Sequence, residues 1–144
     1  MAIKLKFQGF EDLLKDIEAA GGSINQATEN AMKQSAQIMQ SELKTEMQAA
    51  NVDSRLIARM PSFEIQTSAN RVTAFVGYKK GAYDPNNISD GYKVVFLNYG
   101  TPRRSEHGKI QKRGFIQNAK KRANPKIKKA QRTALEKILK RLEK

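Results

Sequence analysis

Alternating residues open the chain: Ile3, Leu5 and Phe7 are apolar while Lys4, Lys6 and Gln8 are polar, the period of a short strand with one buried face. Gly9 ends that pattern. Phe10, Leu13, Leu14 and Ile17 then fall at i, i+3, i+4 and i+7, which places them on one face of a short helix running out at Gly21-Gly22. Ser23 is a natural cap for a second helix. From Ile24 to about Ala50 neither Gly nor Pro interrupts, and Ile24, Ala27, Ala31, Ile38, Met39, Leu43 and Met47 keep a roughly helical period. At about 1.5 Å per residue this predicts a helix about 40 Å long. Its small residues permit close packing, and its methionines read as core filling rather than as ligands.

Asn51 to Pro61 reads as a connector, because Asp53, Ser54 and Pro61 favour turns and no apolar period runs through it. Phe63, Ile65 and Thr67 then alternate with Glu64 and Gln66, Ser68-Ala69-Asn70 makes a turn, and Val72, Ala74 and Val76 alternate with Arg71, Thr73 and Phe75. The pattern is that of a β-hairpin. Residues 79–91 are rich in Gly, Pro, Asn and Asp and predict a long loop. Tyr92 to Tyr99, with Val94, Val95, Phe96 and Leu97 apolar on both faces, reads as a further strand in the centre of an antiparallel sheet. Residues 100–114 read as a second polar loop. Phe115, Ile116 and Ala119 predict a short helix ending near Asn124, and Asn124-Pro125 predicts the cap and first position of a last helix running nearly to Lys144. Ile127, Ala130, Ala134, Ile138 and Leu142 form its packing stripe, and Lys126, Lys128, Lys129, Arg132, Lys137, Lys140 and Arg141 fill the rest. The expected fold class is α+β: a small antiparallel sheet packed against one long helix, with a short N-terminal helix and an amphipathic C-terminal helix.

At 144 residues the chain has room for one ordinary domain. Charge divides that domain sharply. Residues 1–99 hold 11 Lys/Arg and 11 Asp/Glu, whereas residues 100–144 hold 16 Lys/Arg against Glu106, Glu136 and Glu143, so the whole net charge of +13 lies in the last segment. Such a segment attracts polyanions through Coulomb forces and counterion release. Cysteine is absent, which excludes disulfides, thiolate nucleophiles and cysteine metal sites and agrees with folding in a reducing cytosol. The opening residues lack the continuous apolar run of a signal peptide or membrane span. Asn87-Ile88-Ser89 matches a glycosylation pattern but has no secretory context.

Candidate chemistry is sparse. The single histidine, His107, sits in a polar basic loop without a second histidine or a ligand-spaced carboxylate pair. Gly100-Thr101-Pro102 and Gly108-Lys109 do not make a phosphate loop, and Asp53, Asp84 and Asp90 are turn residues. No enzyme, cofactor or metal site is expected. The basic segment has three readings: a solvated helix face, phosphate contact, or pairing of Arg103, Arg104, Lys112 and Arg113 with acidic residues of a neighbouring subunit, for which arginine forks suit carboxylates. Phe115 is the last aromatic residue, so stacking platforms for single strands are missing from the basic region. Membrane binding ranks last, because the core needs the apolar stripe.

In the order of its motifs the chain resembles the small neck proteins of tailed phages, the head–tail joining, tail completion or minor tail-component family. Phe7-Gln8-Gly9-Phe10-Glu11-Asp12-Leu13-Leu14 looks like the family's strand, glycine and leucine-rich helix, and Val76-Gly77-Tyr78 like the strand before its variable loop. Phe96-Leu97-Asn98-Tyr99-Gly100-Thr101 resembles the segment closing the family's central strand, and Arg113-Gly114-Phe115-Ile116-Gln117-Asn118-Ala119 the helix that follows its basic loop. After the long helix the family carries a proline and then Thr-Gly ahead of Leu-Arg, of which Asn51-Val52-Asp53-Ser54-Arg55-Leu56 keeps only the outline. The resemblance implies a structural subunit of a phage or prophage virion, made in the host cytoplasm. It would form a homo-oligomeric ring, a hexamer or dodecamer, between head adaptor and tail proteins, passing DNA without reading its sequence. Tyr99, Arg103, Arg104, Lys112, Arg113 and Phe115 are the expected assembly or DNA-facing surface. The alternative is a non-specific nucleic-acid-binding protein that uses the basic C-terminal segment.

Overall fold

The computed structural model describes residues 2–68, 71–79, 88–100 and 111–143. It is an α+β chain. The opening alternation forms β1 (Ala2–Lys6), and the apolar face of Phe10, Leu13, Leu14 and Ile17 belongs to α1 (Glu11–Ala19). Ser23 caps α2 (Ile24–Ala49), its hydroxyl accepting the Gln26 N–H at 3.3 Å. After α3 (Ser54–Ala58) come the hairpin strands β2 (Glu64–Ser68) and β3 (Arg71–Gly77). The chain closes with α4 (Asp90–Tyr99) and α5 (Phe115–Leu142).

The sheet has the order β1-β3-β2, all antiparallel. Register places Leu5, Ala74 and Ile65 in one row and Lys4, Phe75 and Glu64 in the next, so the two rows face opposite sides of the sheet. The side carrying Ile3, Val72, Ala74 and Val76 is buried in a core shared with Met32, Ala36, Met39, Leu43 and Met47 of α2. On its other flank α2 lies along α5, the most extensive contact between any two elements. Ile116, Ala119, Ala123 and Ile127 enter the same core from α5. A second, smaller cluster joins Ile17, Ala27 and Leu135, where α1 meets the far end of α5. A Cβ on Gly22 would come within 2.5 Å of Leu142 and 2.7 Å of Ile17, so glycine is what lets the α1–α2 turn approach α5 this closely.

Three expectations need correction. Residues 92–99 are the helix α4 and not a central strand; the centre of the sheet is β3. A short apolar run looks alike in a buried strand and a buried helix. The deciding signals lie at its ends: the Ser89 hydroxyl accepts the Tyr92 N–H, Asp90 sits in the first turn, and Gly100 leaves the helix at φ +76°. Secondly, the connector 51–61 contains α3, capped by Asp53 through the Arg55 N–H at 2.9 Å and held by buried Leu56, Ile57 and Met60. Thirdly, α5 runs unbroken through Pro125. An interior proline costs a helix about 3 kcal/mol, yet Phe115, Ile116, Ala119, Ala123 and Ile127 stay buried in one phase across it, and that packing outweighs the local penalty. The expected turn at Ala69-Asn70 and most of the two long loops lie outside the described residues.

A candidate polyanion-binding face on the C-terminal helix

The start of α5 is moored to the end of α4. The Arg113 and Gly114 N–H groups donate to the Leu97 and Asn98 carbonyls at 3.1 and 3.0 Å. Asn98, fully buried, accepts the Ile116 N–H on Oδ1 at 2.9 Å while its Nδ2 has no partner. It thus satisfies one of the donors that a helix start leaves open. The Arg113 guanidinium donates to the Ala50 and Asn51 carbonyls at 3.1 and 3.2 Å, closing the end of α2. One stretch, 113–116, therefore locks α2, α4 and α5 together.

This alters the expected assembly surface. Phe115 is fully buried in the core and offers no face to a partner, which corrects its placement; its spacing to Ala119 and Ala123 puts it on the packing stripe. Arg113 is exposed but works as a clamp on the chain's own carbonyls. Tyr99, 48% exposed, and Lys112 remain on the surface. Arg103, Arg104 and His107 lie outside the described residues.

The stronger charge feature is the outer side of α5. The helix carries ten Lys/Arg against the single Glu136. Two cations are used internally: Arg122 pairs with Glu46 at 3.0 Å, and Lys126 pairs with Glu42. Arg132 sits 6.0 Å over the Phe10 ring, in cation–π range. Lys120, Lys121, Lys128, Lys129, Lys137, Lys140 and Arg141 form no ion pair among the described residues. Lys129 and Lys140, at i and i+11, share one line along the helix, and Lys121 and Lys128, at i and i+7, share another about 100° around it. From Lys120 to Arg141 the face spans about 30 Å. Unpaired cations at that density repel one another and lower their energy by meeting a polyanion. The periodicity of the sequence carries this signal, whereas the surface expected from it centred on the preceding loop.

Away from α5, two contacts shift titrating groups through structural partners. Arg59 and Asp90 form a two-bond pair, 2.9 and 3.1 Å, between the end of α3 and the start of α4. Those hydrogen bonds hold the Asp90 carboxyl below its usual value and raise Arg59. The Tyr78 hydroxyl donates to the Leu56 carbonyl at 2.6 Å, and burial pushes its pKa up to about 12. Among the described residues no three of His, Cys, Asp and Glu group as metal ligands, and no helix is long and apolar enough to cross a membrane. Comparison with family models, curated proteins and solved structures finds no match.

Proposed function

We propose that the chain is a structural subunit of a tailed phage or prophage, a neck or tail completion protein that joins head to tail as a homo-oligomeric ring. The cationic outer face of α5 carries this reading. A ring repeats that face once per subunit, and a channel crossed by DNA has to be lined so that it does not repel phosphate. Support also comes from the resemblance in motif order, and from the tight lock at residues 113–116, which makes the basic helix a rigid extension of the body. DNA contact here is through charge, without base reading, since α5 has no aromatic residue beyond the buried Phe115. Mass in solution by light scattering, at low and high salt, tests the proposal: discrete hexamers or dodecamers, or a monomer that enters phage particles, are expected. A monomer that never joins particles and binds duplex DNA with steep salt dependence favours the second reading, a non-specific nucleic-acid-binding protein, which the same face of α5 also supports.

A further inference from the structure

The end of β1, the start of β3, the beginning of α1 and the first turns of α2 enclose a cleft of about 340 Å³. That is within the size range of pockets that seat a ligand or a side-chain cluster. Phe7, Phe10 and Leu14 supply an apolar wall, and Lys4, Lys6 and Arg71 supply the charge. None of the three cations is in an ion pair among the described residues. The one carboxylate on the lining is Glu11, whose Oε1 receives the Gly9 N–H at 3.4 Å. Ile24 and Asn25 bring the N-terminus of α2 to the same place, and the first turn of that 26-residue helix has no acidic residue to answer its dipole.

The geometry points to this cleft as a docking pocket for an acidic segment of a partner protein. An aliphatic side chain of the segment rests on Phe7, Phe10 and Leu14, and flanking carboxylates meet Lys4, Lys6 and Arg71. Three unpaired cations, a helix N-terminus and an apolar wall are complementary to an occupant that is both anionic and apolar. A peptide fits this better than a nucleic acid does. Base stacking needs an open ring face, whereas the Phe10 ring has Arg132 above it at 6.0 Å and Phe7 tilted 33° against it at 5.5 Å. The pocket does not depend on the ring reading, and it borders α5 at Arg132, which lies over Phe10; the cations that line it come from β1 and β3, so failure of either proposal leaves the other standing.

The test is an amide-shift NMR titration of the full chain with three probes: an acetylated, amidated hexapeptide of alternating glutamate and leucine, its glutamine counterpart, and a short oligothymidylate. The glutamate peptide is expected to shift Lys6, Phe7, Thr28 and Val72 saturably. The glutamine peptide should bind at least tenfold more weakly. Lys4→Glu with Arg71→Glu, both at exposed positions, should weaken the glutamate peptide at least tenfold while leaving the remaining spectrum in place. Equal binding of the glutamine peptide, preference of the cleft for oligothymidylate, shifts confined to residues 120–141, or no saturable shift at all would each overturn the assignment.

Discussion

The two long helices lie side by side, and their inner faces are alike while their outer faces are not. Helix α2 has 26 residues with Glu29, Glu42 and Glu46 against Lys33 and Lys44, a net charge of −1; α5 has 28 residues with a net charge of +9. Both present small and medium apolar residues to the seam, and besides the Arg122–Glu46 and Lys126–Glu42 pairs a buried polar bridge crosses it: Gln131 Nε2 donates to the Ser35 hydroxyl at 2.9 Å. The Ser35 hydroxyl in turn donates to the Ala31 carbonyl at 2.8 Å, so this buried pair is satisfied. Packing therefore accounts for the inner face of α5 and for two of its cations, Arg122 and Lys126. A third, Arg132, lies over the Phe10 ring, and packing does not account for the remaining seven, the cations on which the proposed contact with a polyanion rests.

Attacks on the inner side should be costly. Phe115→Ala empties a fully buried site at the junction of α4 and α5 and should cost about 3–5 kcal/mol in denaturant unfolding. Asn98→Ala leaves the Ile116 N–H unsatisfied and should cost roughly 1–3 kcal/mol; the unpartnered Nδ2 keeps this below the phenylalanine figure.

Tyr78→Phe removes the bond to the Leu56 carbonyl and should cost about 1 kcal/mol at neutral pH. It should also change the alkaline behaviour. With its pKa raised to about 12 in the fold, Tyr78 contributes stability that is full below the ordinary tyrosine value and lost as pH rises through about 12. Unfolding measured from pH 9 upward should fall less steeply in the variant. Asp90 works in the opposite sense: a carboxyl lowered by Arg59 adds stability above its ordinary value and loses it as pH falls through the folded pKa. Arg59 is about half exposed, so Asp90→Asn should cost under about 1 kcal/mol at pH 7 and less still at strongly acid pH.

Much of this seam was readable from the chain. The apolar periods of α1, α2 and α5 and the alternation of β1 and β3 follow directly from which side of each element meets the core. The helix α4 was not readable from its apolar run, because Val94 to Leu97 suit either periodicity, and only Ser89, Asp90 and Gly100 at its ends distinguish them. Pro125 misled for a related reason: a local preference of a few kcal/mol yields to a stripe of burial that runs through it. At the candidate site, the residues named around the basic loop were only partly surface residues, since Phe115 and Arg113 serve the junction. The cleft beside β1 was not legible at all. It depends on bringing Lys4 and Phe7, Leu14, Asn25 and Arg71 together from four separate elements, and no local spacing announces that.

The most direct test of the contrast between the helices is the salt dependence of duplex-DNA binding after replacing Lys121, Lys128, Lys129 and Lys140 on α5 with serine, beside a control replacing Lys33 and Lys44 on α2. The α5 variant should stay folded, within about 2 kcal/mol of wild-type stability, since surface changes of this kind stay within about 0.5 kcal/mol each. Its slope of log affinity against log salt should fall by about 0.9 for each phosphate that the helix no longer neutralises, with the α2 control unchanged. An unaltered slope, or equal weakening in both variants, would contradict the assignment of the outer face of α5 to a polyanion.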